Sequence, residues 1–321
     1  MNSLRLPFFA EINRAENVLI AGAGGGFDVF SGLPLAFNLH AAGKRVFLAN
    51  LSFSNLPDTA GRKVTPALVE VTADSVGSET YFPEKHLAQW FRDHGREVPV
   101  YCFHRTGPKP VADGYRALVG LLGIDTIVLV DGGTDSLMRG DEDELGTPVE
   151  DMTSIAAVHS LDDKQVPRKM LVCLGFGIDA FHGVRHAHVL EAVADLMRAG
   201  GYLGAFSLVE QMPEVQRFRE ATEYVLERTA ARPSIVLTSI LSALEGRYGD
   251  YHRTDRTWGS ELFINPLMAF YWCFRLDAVA RRVLYLDGMC DLTTYIEVER
   301  YIDQFHLHQQ GRRRQRRELP M

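Results

Sequence analysis

The sequence has few cysteines, and none lies in a spacing that binds a metal. The four are far apart and form no Cys-x-x-Cys pair: Cys102, Cys173, Cys273 and Cys290. This spacing excludes a cysteine-rich zinc site, argues against a disulfide framework and favours a reducing compartment. The His-Glu-x-x-His motif of zinc proteases is absent as well.

Long apolar runs and an excess of positive charge are also missing. The apolar runs at 234–244 and 266–274 are too short to cross a bilayer, and residues 1–12 lack the apolar core of a secretory signal. The formal net charge is −7, which argues against general nucleic-acid binding because that needs a basic face. We therefore expect a soluble, cytoplasmic protein that does not bind membranes. The sequence leaves open whether the chain forms a homo-oligomer.

What the chain does contain is a regular alternation of strand-like and helix-like segments. Short apolar runs rich in β-branched residues predict strands at 18–21, 45–49, 98–103, 126–130, 170–174, 202–208 and 283–286. Segments with a helical period lie at 33–42, 84–94, 111–122, 187–199 and 214–230. Because the strands are apolar throughout, we expect them to be buried on both faces. The pattern predicts an α/β fold with a doubly wound, mainly parallel, Rossmann-like three-layer sheet.

The alternation loosens beyond about residue 250. We therefore predict a single domain over residues 1–310, with a helical C-terminal extension and a covering loop at 251–266. The tail, residues 311–321, contains five arginines: Arg312, Arg313, Arg314, Arg316 and Arg317. A charge-dense terminus has little apolar surface to bury, so this tail is expected to be disordered and dispensable for stability. Contact with RNA or another anionic partner is the alternative.

The first predicted strand ends in a glycine-rich turn, AGAGGGFDVFSG. Its candidate ligand-binding residues are Gly22, Gly24, Gly25, Gly26 and Asp28. A turn between a strand and a helix presents backbone N–H groups to an anion, and glycine permits positive φ and close approach of a ligand. A tight structural turn is the alternative. The NAD fingerprint is incomplete because Phe27 stands at its third glycine, and the P-loop pattern GxxxxGK[ST] is absent.

The second predicted strand ends in polar residues. In an open parallel sheet the loops at the carboxyl ends of the strands share one edge, and ligands bind there. Asn50 and Ser52 are therefore predicted to contribute to the ligand site. Asn50 stands where NAD-binding folds carry the acidic residue that binds a ribose hydroxyl, which again departs from that fingerprint.

An acidic segment, residues 130–151 (VDGGTDSLMRGDEDELGTPVED), follows the most hydrophobic strand. At the strand tip, Gly132, Gly133 and Thr134 are predicted to contact the ligand. Asp131 and Asp135 flank these residues and are predicted to be catalytic. Together with Asp141 they form an oxygen-rich set of the kind that binds Mg²⁺ through a few carboxylates and water. A solvated run of charge is the alternative for residues 142–144.

A third segment, GFGIDAFHGVRHAHVLEAV, follows the fifth strand. Asp179 and His182 are predicted to form a catalytic acid–base group, because histidine titrates near neutrality and a carboxylate can orient it. His186 and His188 begin the next helix, and a surface position is the alternative for both.

Three of these segments resemble a prokaryotic family, domain of unknown function 1152. The resemblance rests on GAGGGFDV, on FLANLSFSNL at the end of the second strand, and on DGGTDSLMRGDE followed by TPVED. It spans most of the chain without the basic tail. It implies a Rossmann-like sheet and a shared pocket around Asp28, Asp131 and Asp135, and it implies no particular reaction. A weaker likeness is to the sirtuins, whose GAG turn precedes an SGIP element. In this chain the GAG turn precedes SGLP, and the sirtuin QNxD segment and zinc cysteines are absent.

These observations favour an enzyme that binds a nucleotide or another phosphate- or ribose-bearing small molecule. Hydrolysis or group transfer, with carboxylates and Mg²⁺, fits the residues better than hydride transfer because the NAD fingerprint is broken. A non-catalytic sensor that binds a nucleotide or an NAD-like ligand is the alternative, although it leaves the carboxylates and His182 without a role.

Overall fold

The computed structural model describes residues 5–77, 81–260, 262–309 and Arg314. The strands are β1 (Asn17–Gly22), β2 (Arg45–Leu51), β3 (Arg62–Thr65), β4 (Leu68–Val71), β5 (Val100–Phe103), β6 (Thr126–Asp131), β7 (Arg168–Leu174), β8 (Tyr202–Ser207), β9 (Gly249–Asp250), β10 (Phe263–Ile264) and β11 (Phe270–Arg275). The α-helices are α1 (Pro7–Ile12), α2 (Asp28–Ser31), α3 (Leu33–Ala41), α4 (Pro83–Asp93), α5 (Pro108–Leu122), α6 (Pro148–His159), α7 (His186–Arg198), α8 (Pro213–Arg228), α9 (Ile235–Leu244), α10 (Leu276–Arg282), α11 (Leu286–Met289) and α12 (Tyr295–His308).

Nine strands form one sheet in the order β3-β4-β5-β2-β1-β6-β7-β11-β8. Its five central strands, β5-β2-β1-β6-β7, run parallel to one another. Antiparallel pairs extend the sheet at both edges, with β4 on β5 and β11 on β7. The predicted mainly parallel α/β sheet is confirmed. The remaining strands, β9 and β10, form a separate antiparallel pair; β9 lies just before the predicted covering loop and β10 lies within it.

Helices pack on both faces of the sheet and give it two hydrophobic cores. In β1, Val18 and Ile20 face one core, while Leu19 and Ala21 face the other. The first core also takes apolar residues from α3, α4, α8 and α9, and the second takes them from α5, α6, α7, α10 and α12. Successive side chains of a strand point to opposite faces, so a strand covered on both faces must be apolar at every position. This is why unbroken apolar runs predicted the central strands correctly.

One predicted strand is wrong. Residues 283–286 form no strand: Val283 directly follows α10, and Leu286 begins α11. Both side chains are buried in the second core. A short apolar run is compatible with a strand or with a buried helical segment, and its length alone does not distinguish them. The last strand of the sheet along the chain is instead β11, which lies between β7 and β8 and includes most of the apolar run at 266–274.

The C-terminal extension is helical, as predicted, and consists of α10, α11 and α12. Among the described residues, none of the helices combines the length and the apolar character that a membrane span requires. Of the basic tail, only Arg314 belongs to the described part of the chain. The predicted disorder of the other tail residues lies outside the described residues.

Candidate functional site

The candidate site lies where the direction of the strand order reverses. From β1 the chain proceeds outward through β2 to β5 and then returns to β6, on the other side of β1. The loops that leave β1 and β6 therefore diverge and open a crevice at the carboxyl edge of the sheet, where such folds bind ligands. A cavity of about 580 Å³ lies there. Its lining includes residues 24–28, the loops after β6 and β7, and part of α12.

The glycine-rich turn encloses a carboxylate of the same chain. The backbone N–H of Gly24 donates to Asp28 Oδ2 at 2.7 Å, so this N–H already has an acceptor. A Cβ placed on Gly24 would lie 2.8 Å from Asp28 Oδ2 and 2.8 Å from Asp151 Oδ1. Glycine is therefore required at this position because two carboxylates approach the backbone. The N–H that the sequence predicted for a ligand phosphate points to Asp28 instead.

Three carboxylates meet at the floor of the cavity: Asp28, Asp131 and Asp151. Each contributes an oxygen atom, and these atoms all lie within 4.8 Å of one another. Asp131 is 3% exposed and Asp151 is 2% exposed. Asp151 Oδ1 is buried and has no hydrogen-bond partner in the described structure. Several carboxylate oxygens at this separation are the donor set that hard divalent cations such as Mg²⁺ and Mn²⁺ prefer, so the residues fit such a cation.

Burial and crowding raise the pKa of every carboxyl in this group. Desolvation raises the pKa of Asp28 to about 7, although the backbone N–H groups of Gly24 and Gly132 oppose the shift. Burial is also the largest cause for Asp131 and Asp151, whose pKa values lie well above the ordinary range, and the charge of Asp135 adds to it. Buried carboxylates in contact ionise together only when a positive charge compensates them. The carboxyl groups at the floor are therefore expected either to stay protonated or to bind a cation.

Asp135 and Asp179 line the same cavity, but their hydrogen bonds hold neighbouring loops. Asp135 Oδ2 accepts from the N–H of Thr147 at 2.8 Å and from its hydroxyl at 3.0 Å. Asp179 Oδ2 accepts from the N–H of Thr134 at 2.6 Å. Burial raises the pKa of both carboxyls. The structure thus brings these two predicted residues next to Asp131, with each carboxylate joining two loops of the site.

Asp141, a predicted metal ligand, lies away from the cavity. Its carboxylate pairs with Arg139 at 3.0 Å and with Arg314 at 2.9 Å, and it is not among the cavity-lining residues. Glu142, for which a solvated position was the alternative, is fully buried and accepts the backbone N–H of Arg139 at 3.0 Å. The predicted place of Asp141 beside Asp131 is taken by other carboxylates. Charge density along the sequence did not indicate which acids point into the cavity.

Asn50 and Ser52 lie behind the glycine-rich turn and do not line the cavity. The side-chain amide of Asn50 donates to Gly26 O at 2.8 Å and to the buried carboxylate Glu84 at 2.9 Å. Ser52 Oγ accepts the backbone N–H of Ser54 at 3.1 Å. The hydrogen bond from Asn50 to Gly26 thus holds the turn in place from below. Three other predicted ligand residues are likewise outside the cavity lining: Gly22, Gly133 and Thr134.

The histidines after β7 have different environments. His182 is exposed and lines the cavity, and it lowers the pKa of Asp135 against the larger, raising effect of burial. It is therefore close enough to the acidic floor to act on it. His188, for which a surface position was the alternative, is only 1% exposed and lies 3.5 Å from Asp143. Of the acidic and histidine side chains in this segment, Asp179 and His182 line the cavity.

The rim of the cavity carries two arginines and several aromatic side chains. Arg232 precedes α9, and Arg256 lies between β9 and β10. In the part of the chain that the structure describes, neither arginine is paired with a carboxylate. The aromatic residues of the lining are Phe27, Phe53, Tyr81, Phe181 and Tyr295. Arg256 Nη1 donates to the backbone carbonyl of Pro233 at 2.7 Å. The rim thus offers cationic groups without a carboxylate partner, and flat apolar surfaces, above an acidic floor.

Sequence reasoning missed Asp151 and Glu150, because residues 148–151 were interpreted as the end of an acidic loop. They form the first turn of α6, with Pro148 as its first residue. Proline followed by acidic residues is a common start of a helix, and this pattern was the available signal. Once α6 is recognised, its first turn must lie at the carboxyl edge of the sheet, next to the loop that leaves β6.

Comparison with known proteins identifies one family. A family model described as "Protein of unknown function (DUF1152)" matches residues 19–304. The matched range includes Asp28, Asp131 and Asp151, and it ends before the basic tail. Neither a curated protein nor a solved structure matches the chain, so the weaker likeness to sirtuins stays a prediction.

Proposed function

The chain belongs to the DUF1152 family, whose description assigns no reaction, and we propose that it is a cation-dependent hydrolase or transferase. Its substrate would be a nucleotide or another phosphate- or ribose-bearing small molecule. The observation that carries this proposal is the buried Asp151 Oδ1, which has no hydrogen-bond partner and belongs to a group of three carboxylates. A buried polar atom without a partner costs free energy, so its retention at the floor of a cavity argues for a ligand.

The charge of the cavity supports a bound cation. Eight acidic residues line it: Asp28, Asp131, Asp135, Glu150, Asp151, Asp179, Glu299 and Asp303. Two arginines, Arg232 and Arg256, oppose them. A phosphate entering this cavity alone would meet strong repulsion at the floor. Asp28, Asp131 and Asp151 would hold a divalent cation such as Mg²⁺, which when bound neutralises the carboxylates and polarises a phosphoryl or carbonyl oxygen.

The rim residues support a phosphate-bearing ligand. Guanidinium groups bind phosphate through paired N–H donors, and Arg232 and Arg256 have no carboxylate partner among the described residues. Phe53 is 42% exposed beside the glycine-rich turn and offers a flat face to a base or sugar. A ligand held at the rim by its anionic group would extend its reacting end toward the floor.

Two residues are suited to move a proton at this floor. His182 is exposed on the cavity surface, so its imidazole can reach a bound ligand or water. Burial raises the pKa of Asp179, so its carboxyl stays protonated at a higher pH than an exposed aspartate does. We assign the general base to His182, because its imidazole is accessible, and the general acid to Asp179, because burial favours its protonated form.

The proposal is tested by a thermal-shift screen of nucleotides, NAD and phosphosugars, each with and without Mg²⁺, followed by mass spectrometry of each stabilising compound. We expect stabilisation that requires Mg²⁺, and a cleaved or transferred product. Asp151→Asn should abolish both, whereas Asp113→Asn, an exposed acid on α5, should change neither. Stabilisation without product would favour the non-catalytic sensor. A ligand-induced thermal shift that is the same with and without Mg²⁺, and the same in Asp151→Asn as in the wild type, would refute the cation site.

A further inference from the structure

Arg314, which follows α12 near the C-terminus, reaches back to the acidic segment. Its backbone N–H donates to Asp141 O at 2.8 Å, and its Nε donates to Asp141 Oδ1 at 2.9 Å. Its two terminal nitrogens contact Glu142 Oε1 at 2.6 Å and Glu191 Oε2 at 2.5 Å. One side chain thus engages three carboxylates, and it is only 22% exposed. This is a far more ordered contact than a solvated tail would make.

Glu142 makes this contact energetically significant. Its side chain is fully buried, and its oxygens accept the backbone N–H groups of Arg139 and Gly140, the latter at 2.8 Å. These bonds fold the chain into a bend, residues 139–142. Breaking a buried ion pair by removing one partner leaves an uncompensated charge, which is strongly destabilising. Without Arg314, the bend would retain a buried carboxylate and lose its direct cationic partner.

The bend lies between two parts of the candidate site. It connects the segment after β6, where Asp131 ends the strand and Asp135 begins the next turn, to the first turn of α6, which carries Asp151. Glu191 belongs to α7, which begins just after Asp179 and the exposed His182. Arg314 therefore joins the two segments that bring the carboxylates of the cavity together.

We propose that Arg314 is a positioning residue that latches the 139–142 bend to α7 and so fixes the carboxylates of the cavity floor. The role rests on the proposed cation-dependent function, although the latch itself consists of contacts within the protein alone. It replaces the expectation that the whole tail is dispensable. The residue acts through the loop, since none of its contacts is with the cavity.

The test compares Arg314→Ala with Arg316→Ala, which removes another arginine of the same run. Hydrogen exchange of the Arg139 and Gly140 amides reports the bend directly, without any cation. Calorimetric titration with Mn²⁺ measures the affinity of the carboxylates at the cavity floor for a divalent cation. We expect Arg314→Ala to speed exchange at both amides and to weaken Mn²⁺ binding by roughly tenfold or more, the usual effect of losing an outer contact that orients metal ligands. Arg314→Lys should recover part of both, and Arg316→Ala should match the wild type.

The outcomes separate this proposal from the proposed function. If Arg314→Ala exchanges and binds Mn²⁺ as the wild type does, the latch is refuted while the cation site stands. If wild-type protein does not bind Mn²⁺, the cation site is refuted, and unchanged exchange in Arg314→Ala would refute the latch as well. Should Arg314→Ala fail to fold, Arg314→Lys decides: wild-type exchange and affinity in that variant would show that the paired guanidinium contacts do not position the floor.

Discussion

The Asp151 carboxylate lies where a side chain at Gly24 would have to be. A Cβ on Gly24 would stand 2.8 Å from Asp151 Oδ1, closer than ordinary van der Waals contact allows. The two residues come from opposite sides of the crevice between the loops that leave β1 and β6: Gly24 follows β1, and Asp151 lies at the start of α6. Their contact closes the floor of the cavity, because it places Asp151 beside Asp28 and Asp131.

Gly24→Ala should therefore disrupt the floor while the fold persists. The added methyl displaces two carboxylates, and inserting a methyl into a tight site typically costs about 1–3 kcal/mol of unfolding free energy. Gly120→Ala is the matched control, because a Cβ there meets no atom within 4 Å and α5 gains about 0.5–1 kcal/mol from the change. Chemical denaturation and Mn²⁺ titration measure both effects. Unchanged Mn²⁺ affinity in Gly24→Ala would show that the contact does not shape the site.

Asp151→Asn should stabilise the metal-free protein. Burial and the charges of Asp135, Asp131 and Asp28 all disfavour an ionised carboxylate at this position. Replacing it with a neutral amide removes that repulsion, and we expect a gain of roughly 1 kcal/mol, the usual sign of a functional residue retained at a cost to stability. Urea unfolding at neutral pH without divalent cations measures this. A clear loss of stability would instead assign Asp151 a structural role.

The stability of the site should depend on pH through Asp28. Its pKa is raised to about 7 in the folded protein, so between pH 4 and pH 7 the folded state binds more protons than the unfolded state. The contribution of Asp28 to the free energy of unfolding is therefore fully present below about pH 4 and is lost as the pH rises through 7. The Tm advantage of Asp28→Asn over metal-free wild type should grow across this interval, and Mg²⁺ should reduce it most at pH 7 and above. A constant difference would contradict the raised pKa.

The two rim arginines should act on the ligand rather than on the cation. Neither Arg232 nor Arg256 has a carboxylate partner among the described residues. Arg232→Ala should therefore change the free energy of unfolding by no more than about 0.5 kcal/mol. Arg256→Ala should cost about 1 kcal/mol, because it also removes the hydrogen bond to Pro233 O. Binding of a phosphate-bearing ligand found in the screen should weaken, while Mn²⁺ affinity stays unchanged. Arg247→Ala, which removes an arginine stacked on Tyr251, is the control. Wild-type ligand affinity in all three variants would show that the two rim arginines do not contact the ligand.

Particular residues show how far the sequence leads. The central apolar strands were predictable because burial on both faces leaves a pattern within each segment. Asp28, Asp131 and Asp135 followed from their position at strand ends. Asp151 and Arg314 did not, because their roles depend on contacts between segments distant in the sequence. The same limit explains Asp141: it stands ten residues from Asp131, yet the 139–142 bend directs it away from the cavity.

The central claim is that Asp28, Asp131 and Asp151 together bind a divalent cation. Titration of Mn²⁺ into the protein, followed by the loss of the free-ion electron paramagnetic resonance signal, tests it directly. The account predicts a saturable site in the wild-type protein that Mg²⁺ displaces, and its loss in Asp28→Asn, Asp131→Asn and Asp151→Asn but not in Asp113→Asn. A wild-type protein that leaves Mn²⁺ free in solution, or variants that bind it equally well, would contradict the account.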